Sequence, residues 1–450
     1  MSEAENNTVE CPVVNRAQEA VANGVNFLNG LPPMPANYNN PVESVEDPFN
    51  LDNLRYREPV TIETQNKKIN LVPSAVRDFV TRINALPDDS KKTFVIGIGT
   101  GGTISMAPKE EGGPLVSELD FGSIMQKTDP RLKDEFEVEG IDAFSTDSSQ
   151  LEIDDVGDLA ISMCYIWQEM KPSLRRRFGG FLIVHGTDTM PKSGNHLEMM
   201  LGKNLPFNIV HTGAQKPINE KINDAQPNVK NALFMLRMLR NNNCAESVTV
   251  MGGKGILTAG MTKVSDHHAK AMATHMHRDV IDFDALPDPD THKLPEWLRE
   301  KPGHKQFNPV VYRGPNRVGQ LEAEMQEDPR AIIASIRLAA RKAILLVTYG
   351  ANTYDYKAVR IIAEEAEEQG IPVFAVSPVN ADPKLDVYEA GAELSRAGVT
   401  PLYMTLHAAR AKLMAAFAKF GNDTKAVTEF MGDNFVGEIP TKINRRDLAA

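Results

Sequence analysis

Cysteine is scarce in this sequence, and long apolar runs are absent. The 450 residues include three cysteines, Cys11, Cys164 and Cys244, which do not have the spacing of zinc ligands. An odd, scattered set of this kind predicts neither a disulfide framework nor a zinc site, and it favours a reducing compartment. The acidic start MSEAENNTVE lacks the apolar core of a secretory signal, and no apolar run approaches the ~20 residues of a membrane span. We therefore expect a cytoplasmic protein without a membrane partner.

The sequence also lacks an excess of positive charge. Its 49 lysines and arginines are outnumbered by 60 aspartates and glutamates, which gives a formal net charge of -11. Because the neutralisation of phosphates by Lys and Arg dominates affinity for nucleic acids, this balance argues against a nucleic-acid partner. Hydrophobic residues make up 42% of the chain and charged residues 24%, as in ordinary globular proteins. We expect small-molecule substrates.

The first 90 residues differ in composition from the rest and are expected to form an N-terminal extension. Up to about residue 70 they are rich in Asn, Pro and Glu and have few apolar repeats, which predicts an arm laid across another surface or a disordered segment. From Pro73 the pattern changes to that of an amphipathic helix. Its apolar residues recur at i, i+3, i+4 and i+7, namely Val76, Phe79, Val80 and Ile83.

Residues 91–290 alternate short apolar runs with helical patterns. The runs are rich in β-branched residues and almost uninterrupted, which is typical of parallel strands buried on both faces: FVIGI (94–98), FLIV (181–184), FNIV (207–210) and VTVM (248–251). A Pro- and Lys-rich segment, 291–335, is expected to be a linker, and 336–450 a smaller α/β domain. The predicted fold class is α/β, with a larger N-terminal catalytic domain on a parallel sheet.

The first apolar run leads into a glycine-rich turn, FVIGIGTGGTISMAP. Gly97, Gly99 and Gly102 satisfy the spacing G-x-G-x-x-G of dinucleotide-binding proteins. That fingerprint requires a helix at the third glycine, because the helix N-terminus binds the pyrophosphate. Here Pro108 and several further glycines and prolines interrupt the stretch that follows. The spacing is therefore interpreted as a coincidence, and the stretch as a lid beside an active site.

A second polar turn follows the run FLIV, in the sequence FLIVHGTDTMPKSGNHLEMML. Thr187, Asp188 and Thr189 stand between a strand and a helix whose first turn contains Pro191. This is the carboxyl end of a parallel strand, where open α/β sheets bind their ligands. Taken alone, Asp188 or Thr189 is equally well explained as a helix cap.

The two turns together, TGGTI (100–104) and HGTDTM (185–190), resemble the signature motifs of the L-asparaginase and glutaminase-asparaginase family. Three further segments are similar to the family's substrate loop, glycine-alanine segment and lysine segment: STDSSQLEIDD (145–155), HTGAQKPINEKINDAQPNVKNAL (211–233) and AGMTKVSDHHAKAM (259–272). The resemblance covers about residues 93–420. It implies a two-domain asparaginase-like fold and the hydrolysis of the side-chain amide of asparagine, with glutamine as a second possible substrate.

The resemblance also implies roles for individual residues. Thr103 corresponds to the nucleophile that forms an acyl-enzyme, and Thr187, Asp188 and Lys263 correspond to the group that moves its proton. Asp188 also binds the α-ammonium group of the substrate. The remaining substrate-binding residues implied are Ser148, Ser149, Ala214 and Asn352. The family needs no cofactor, and a neighbouring subunit completes its site, which implies a homodimer or homotetramer.

Simpler explanations stay open for several of these residues. Lys263 has the pattern of an ordinary surface lysine, and the DSS run before Gln150 that of a turn or helix cap. Four histidines suggest a metal site by their number but follow no zinc spacing, so no metal is expected; they are His267, His268, His275 and His277.

The sequence departs from the family in the lid. Family members carry a tyrosine there that contacts the nucleophile, whereas 104–121 contain none, and the acid expected from the second domain matches Asp382 or Asp386 without a clean motif. Two alternative functions follow. One is the glutamine-hydrolysing subunit of a tRNA-dependent amidotransferase, and the other is an amino-acid-binding homologue with weak catalysis.

Overall fold

The computed structural model describes residues 42–108, 115–117, 119–264, 272–274, 279–286, 294, 307–315, 318–322, 341–350, 353–379 and 389–439. The α-helices are α1 (Pro73–Asn84), α2 (Phe121–Gln126), α3 (Leu132–Glu135), α4 (Ile153–Glu169), α5 (Pro172–Arg177), α6 (Met190–Leu201), α7 (Ala225–Asn241), α8 (Tyr356–Gln369), α9 (Glu389–Arg396), α10 (Leu406–Phe420) and α11 (Thr424–Gly432). Every helix in these ranges is too short or too polar to cross a bilayer.

The strands are β1 (Glu43–Ser44), β2 (Val60–Ile62), β3 (Lys67–Ile69), β4 (Thr93–Gly99), β5 (Met106–Pro108), β6 (Leu115–Ser117), β7 (Phe136–Asp142), β8 (Phe144–Ser145), β9 (Phe178–Val184), β10 (Ile209–Thr212), β11 (Ser247–Met251), β12 (Lys254–Leu257), β13 (Met261–Lys263), β14 (Met272–Thr274), β15 (Asp279–Asp282), β16 (Tyr312–Arg313), β17 (Val318–Glu322), β18 (Ala343–Val347), β19 (Val373–Val376) and β20 (Thr400–Leu402).

The larger sheet has seven strands in the order β15-β12-β11-β10-β9-β4-β7. Strands β11, β10, β9, β4 and β7 run parallel, and β12 and β15 form an antiparallel edge. The four predicted runs lie in or across β4, β9, β10 and β11. Strand β10 starts two residues after its run begins, because the side chain of Asn208 binds Gly179 O (3.1 Å) and Glu246 N (3.0 Å) on both sides.

Helices cover both faces of this sheet, which explains why its strands are apolar on both sides. Consecutive residues of β4 show this: Ile96 packs into a core that includes residues of α4, α6 and α10, and Val95 packs into a second core that includes residues of α7. Both side chains are fully buried. The predicted α/β fold is confirmed.

The smaller sheet consists of β17, β18, β19 and β20, all parallel. Its first strand lies within 291–335, the segment for which the sequence pattern predicts a linker. Strand β17 pairs with β18 from Val318 opposite Ala343 to Glu322 opposite Val347. A five-residue strand that contains Gly319 and follows Pro315 has too weak an apolar pattern to be recognised in the sequence.

Residues 42–72 of the extension pack against the larger domain. Leu51 and Leu54 are buried in its core, β1 pairs with β16, and β3 pairs with β8. The amphipathic helix expected from Pro73 is present as α1, and its four periodic apolar residues are all buried. The earlier part of the arm lies outside the described residues.

Candidate active site

The two glycine-threonine turns lie side by side at the carboxyl edge of the larger sheet. Strands β4 and β9 pair in register up to their last residues, Gly99 and Val184. The next residue, Thr100, donates two hydrogen bonds to Val184 O, one from its backbone N and one from its hydroxyl, each of 3.0 Å. The first turn is thus fixed to the end of the strand that carries the second.

Gly102 and Gly186 bring the backbones of the two turns into contact. Gly102 has a φ of +86°, and a Cβ atom on it would stand 2.3 Å from Gly186 Cα. Both the conformation and the close approach require glycine at position 102. Thr103 follows in one turn of 3₁₀-helix, Thr103–Ser105, and is half-buried. The predicted nucleophile therefore lies where the two turns meet.

The earlier glycines of the same run serve the core. A Cβ atom on Gly97 would stand 1.9 Å from the ring of Phe121, and one on Gly99 would stand 2.5 Å from Asp142 Oδ1, which accepts a hydrogen bond from Phe121 N (2.8 Å). The G-x-G spacing thus admits a buried aromatic ring. After Gly102 the described chain forms the single 3₁₀ turn and then β5, with no helix to bind a pyrophosphate.

The predicted substrate loop, Thr146–Gln150, reaches both turns. Thr146 O accepts from Gly102 N (3.0 Å), and Ser148 O accepts from the Thr189 hydroxyl (2.8 Å). Ser148 is buried, and its Oγ lies 2.6 Å from the place that a Cβ atom on Gly186 would occupy. Ser149 is exposed. Of the two serines, Ser148 is therefore the one in contact with the turns.

Asp188 and Lys263 form an ion pair beside the second turn. Lys263 Nζ lies 2.6 Å from Asp188 Oδ1, and the side chain of Lys263 is 20% exposed while that of Asp188 is 67% exposed. The simpler explanations do not apply here, because Lys263 is mostly buried and paired, and neither Asp188 nor Thr189 makes a side-chain cap to α6. Thr187, the third member of the predicted group, is buried next to Asp188.

Asn195 positions the strand that carries Lys263, and sequence reasoning missed it. From the interior of α6 its Oδ1 accepts from Gly260 N (2.9 Å) and its Nδ2 donates to Met261 O (3.0 Å). The residue is fully buried. The signal available in the sequence is an asparagine within an apolar helical segment, where a polar side chain has to find partners.

Ala214 is fully buried in the segment that follows β10. His185 N donates to Thr212 O (2.8 Å), and a Cβ atom on Gly213 would stand 2.3 Å from His185 O, so this segment lies against the second turn. Ile218 N donates to Ile104 O (3.3 Å), which links it to the first turn as well.

The two buried histidines of this region are neutral near pH 7. Burial lowers the pKa of His185 to about 4, and its Nδ1 lies 2.7 Å from Gly186 O, so the neutral ring donates there. Burial likewise lowers the pKa of His211 to about 3. A ring that stays unprotonated when the pH is neutral holds its turn in place and carries no proton in catalysis.

Several predicted residues lie outside the described residues: Asn352, Asp382, Asp386 and the four histidines His267, His268, His275 and His277. Within the described ranges, no cluster of three or more His, Cys, Asp or Glu side chains could hold a metal ion.

Known proteins resemble this chain over most of its length. Residues 94–287 match the family model described as asparaginase, N-terminal. The chain is 28% identical over 351 residues to the L-asparaginase of Thermococcus kodakarensis, which covers 76% of this chain and 98% of the relative. It is 27% identical over 370 residues to L-asparaginase 1 of Escherichia coli K12, with 78% and 98% covered.

A third relative has a different name. It belongs to the glutamyl-tRNA(Gln) amidotransferase of Aeropyrum pernix, and it is 25% identical over 358 residues, which is 76% of this chain and 78% of the relative. Among solved structures, the thermostable L-asparaginase from Thermococcus kodakarensis matches with a TM-score of 0.64 and 24% identity, over 78% of this chain and 100% of the other. The fold is that of an L-asparaginase. The chain belongs to the asparaginase family, as its motifs indicate.

Proposed function

We propose that the protein is an L-asparaginase-type amidohydrolase, which converts L-asparagine to the acid and ammonia. The observation that carries this proposal is the meeting of Thr103, Ser148 and the Asp188–Lys263 pair around the contact between Gly102 and Gly186. Relatives named L-asparaginase match almost their whole length to this chain, which supports the same reaction class. Glutamine differs by one methylene, worth only ~1–3 kcal/mol of discrimination, so it is the second substrate to test.

The reaction begins at Thr103. Its hydroxyl oxygen bonds to the side-chain amide carbon, the carbon–nitrogen bond breaks, and ammonia leaves with the proton that the hydroxyl gave up. Water then attacks the resulting ester, the bond to Thr103 breaks, and the hydroxyl regains a proton. A threonine hydroxyl is a weak nucleophile at its own pKa, so the reaction needs a nearby proton carrier. Thr187, Asp188 and Lys263 supply it, through the hydrogen bond of 2.6 Å between the last two.

The remaining residues orient the substrate. Ser148, with Ser149 beside it, binds the α-carboxylate, and Asp188 binds the α-ammonium group by a charge-assisted hydrogen bond. The backbone at Ala214 lines the side-chain amide, and backbone N–H groups of the two turns stabilise the oxyanion. Asn352 is proposed to reach the site of a neighbouring protomer in a homodimer or homotetramer. The cytoplasmic location stays a prediction.

A second candidate function is the release of ammonia from glutamine for a tRNA-bound acceptor. The observation that favours it is the similarity to a component of the glutamyl-tRNA(Gln) amidotransferase over 78% of that relative. In this alternative, glutamine is the substrate of the chain, and the ammonia passes to a companion protein.

One assay separates the candidates. The purified chain alone is given L-asparagine or L-glutamine, and ammonia is measured over time. Turnover of asparagine without any partner supports the asparaginase. Turnover of glutamine alone, stimulated by a companion protein, would replace it by the second candidate. Binding of either amide without release of ammonia would instead identify an amino-acid-binding protein.

A further inference from the structure

The extension segment, residues 42–72, holds both ends of the substrate loop. At the first end, β3 pairs with β8, the strand that leads into the loop, with Lys68 opposite Ser145 and Ile69 opposite Phe144. Asn70 N adds a hydrogen bond to Ala143 O (3.0 Å). Backbone pairing therefore fixes the chain immediately before Thr146.

A buried ion pair holds the other end. Lys67 Nζ donates to Gln150 O (3.3 Å) and to Asp155 Oδ2 (2.5 Å), and the side chains of Lys67 and Asp155 are each 1% exposed. The same carboxylate oxygen accepts from Glu152 N (2.7 Å) in the capping box that starts α4. One ammonium group thus joins the last residue of the loop to the first turn of the next helix.

Arg55 extends this network. Its guanidinium binds Asp155, and its Nε donates to Asp158 Oδ2 (2.8 Å) one turn further along α4. A buried ion pair adds little net stability relative to a well-packed apolar pair, but leaving one partner without the other is costly. Two cations of the extension segment facing two buried aspartates therefore fix a geometry that apolar packing alone would leave adjustable.

The loop transmits this constraint to the candidate active site. Between its two fixed ends, Thr146 O and Ser148 O accept hydrogen bonds from Gly102 N and from the Thr189 hydroxyl, one on each motif turn. A displacement of the loop would move Ser148, whose Oγ is packed against Gly186. The extension segment precedes residue 94, where the family model begins.

We propose that Lys67 and Arg55 are positioning residues that hold the substrate loop in the conformation that binds the substrate's carboxylate. This inference rests on the proposed function for the identity of the substrate, but the holding of the loop is measurable without any turnover. Neither residue touches the substrate. Both act through Gln150 and Asp155, and their effect is expected on substrate affinity and not on the chemical step.

The test compares Lys67→Met with Lys68→Met. The two lysines are neighbours on β3, but the side chain of Lys68 is exposed. In Lys67→Met we expect faster amide hydrogen exchange in 144–152 and a KM for L-asparagine raised about tenfold, with kcat within about twofold of the wild type. Lys68→Met should leave exchange and KM unchanged. Arg55→Met, which keeps the Lys67–Asp155 pair, should give a smaller change of the same kind.

The proposal is overturned if Lys67→Met leaves exchange in the loop unchanged, or if exchange rises while KM does not. A fall in kcat at constant KM would also overturn it. Should Lys67→Met fail to fold by circular dichroism, Arg55→Met decides by the same criteria. If the wild type releases no ammonia from either amide, the proposed function fails by itself. Exchange in the loop, together with the calorimetric affinity for L-aspartate, then still decides the role of Lys67.

Discussion

Gly102 and Gly186 lie backbone against backbone, although they belong to turns that follow two different strands of the sheet, β4 and β9. A Cβ atom on Gly102 would stand 2.3 Å from Gly186 Cα and 2.4 Å from Gly186 N. Backbone atoms cannot move aside as a flexible side chain can. The contact therefore sets the distance between the turn that carries Thr103 and the turn that carries Asp188.

Gly102→Ala should separate these two turns. The φ of +86° already disfavours alanine, and the contact with Gly186 forces the backbone apart, so we expect a loss of ~2 kcal/mol or more in unfolding free energy. A displacement of about 1 Å costs ~10²-fold in rate. Urea unfolding and ammonia release measure both effects. The matched control is Gly432→Ala, where a Cβ atom would meet nothing within 4 Å. Equal activity in the two variants would contradict the role given to the contact.

Thr103→Ala should remove the nucleophile and leave the fold intact. We expect ammonia release to fall by ~10³-fold or more, because no other group in the turn can form the acyl-enzyme. Thr103→Ser keeps a hydroxyl and should retain part of the activity. Thr81→Ala, which removes a threonine hydroxyl from the exposed face of α1, is the control. A folded Thr103→Ala protein with activity near that of the wild type would end the proposed mechanism.

Lys263→Met tests whether the Asp188–Lys263 pair replaces the tyrosine that the lid lacks. If this pair moves the proton of Thr103, its loss should cost ~10²–10⁴-fold in kcat. Tyr56→Phe should leave kcat nearly unchanged, because the ring of Tyr56 lies against the Arg55 guanidinium, 5.2 Å from the ring centre. Tyr38→Phe is expected to be equally silent. A large loss of ammonia release in either tyrosine variant would show that the extension supplies the missing hydroxyl.

The parts of this fold that the sequence predicts are those determined by neighbouring residues. Strands β4 and β9 follow from continuous apolar runs, and α1 follows from four periodic side chains. The approach of the two turns was predictable as well, because parallel strands bring their carboxyl ends to one edge. The candidate residues themselves came from a resemblance to family motifs, which local physics cannot supply.

The parts that could not be predicted depend on contacts between distant segments. Lys67 has the sequence context of a surface lysine, yet it is buried against Asp155, 88 residues further on. Gly97 has the spacing of a phosphate-binding loop, yet its missing side chain admits Phe121. In both cases the partner that decides the role is set by tertiary packing, and no pattern near either residue indicates it.

Buried histidines should make the protein sensitive to acid. Burial lowers the pKa of His185 to about 4 and those of His196 and His211 to about 3, and each ring is fully enclosed by the fold. Between these values and the ordinary pKa near 6.5, the unfolded chain binds protons that the native protein does not. The unfolding free energy therefore decreases as the pH falls through this window.

One buried carboxyl group acts in the opposite direction. Burial raises the pKa of Glu198 to about 7, so the native protein holds a proton there that the unfolded chain has released, and this contribution is lost as the pH rises. Between neutral pH and about pH 5, each histidine costs roughly 2 kcal/mol and Glu198 regains about the same amount once. Three histidines outweigh one glutamic acid, so the sum favours neutral pH.

We therefore expect the unfolding free energy from urea titrations to be several kcal/mol lower near pH 5 than near pH 7. His211→Leu provides the sharpest check, because neither ring nitrogen of His211 has a hydrogen-bond partner among the described residues, so leucine removes the titrating group without breaking a bond seen there. This variant should lose roughly 2 kcal/mol less than the wild type between the two pH values. An unchanged pH dependence in His211→Leu would mean that His211 titrates alike in both states, and greater stability of the wild type near pH 5 would reverse the predicted sign altogether.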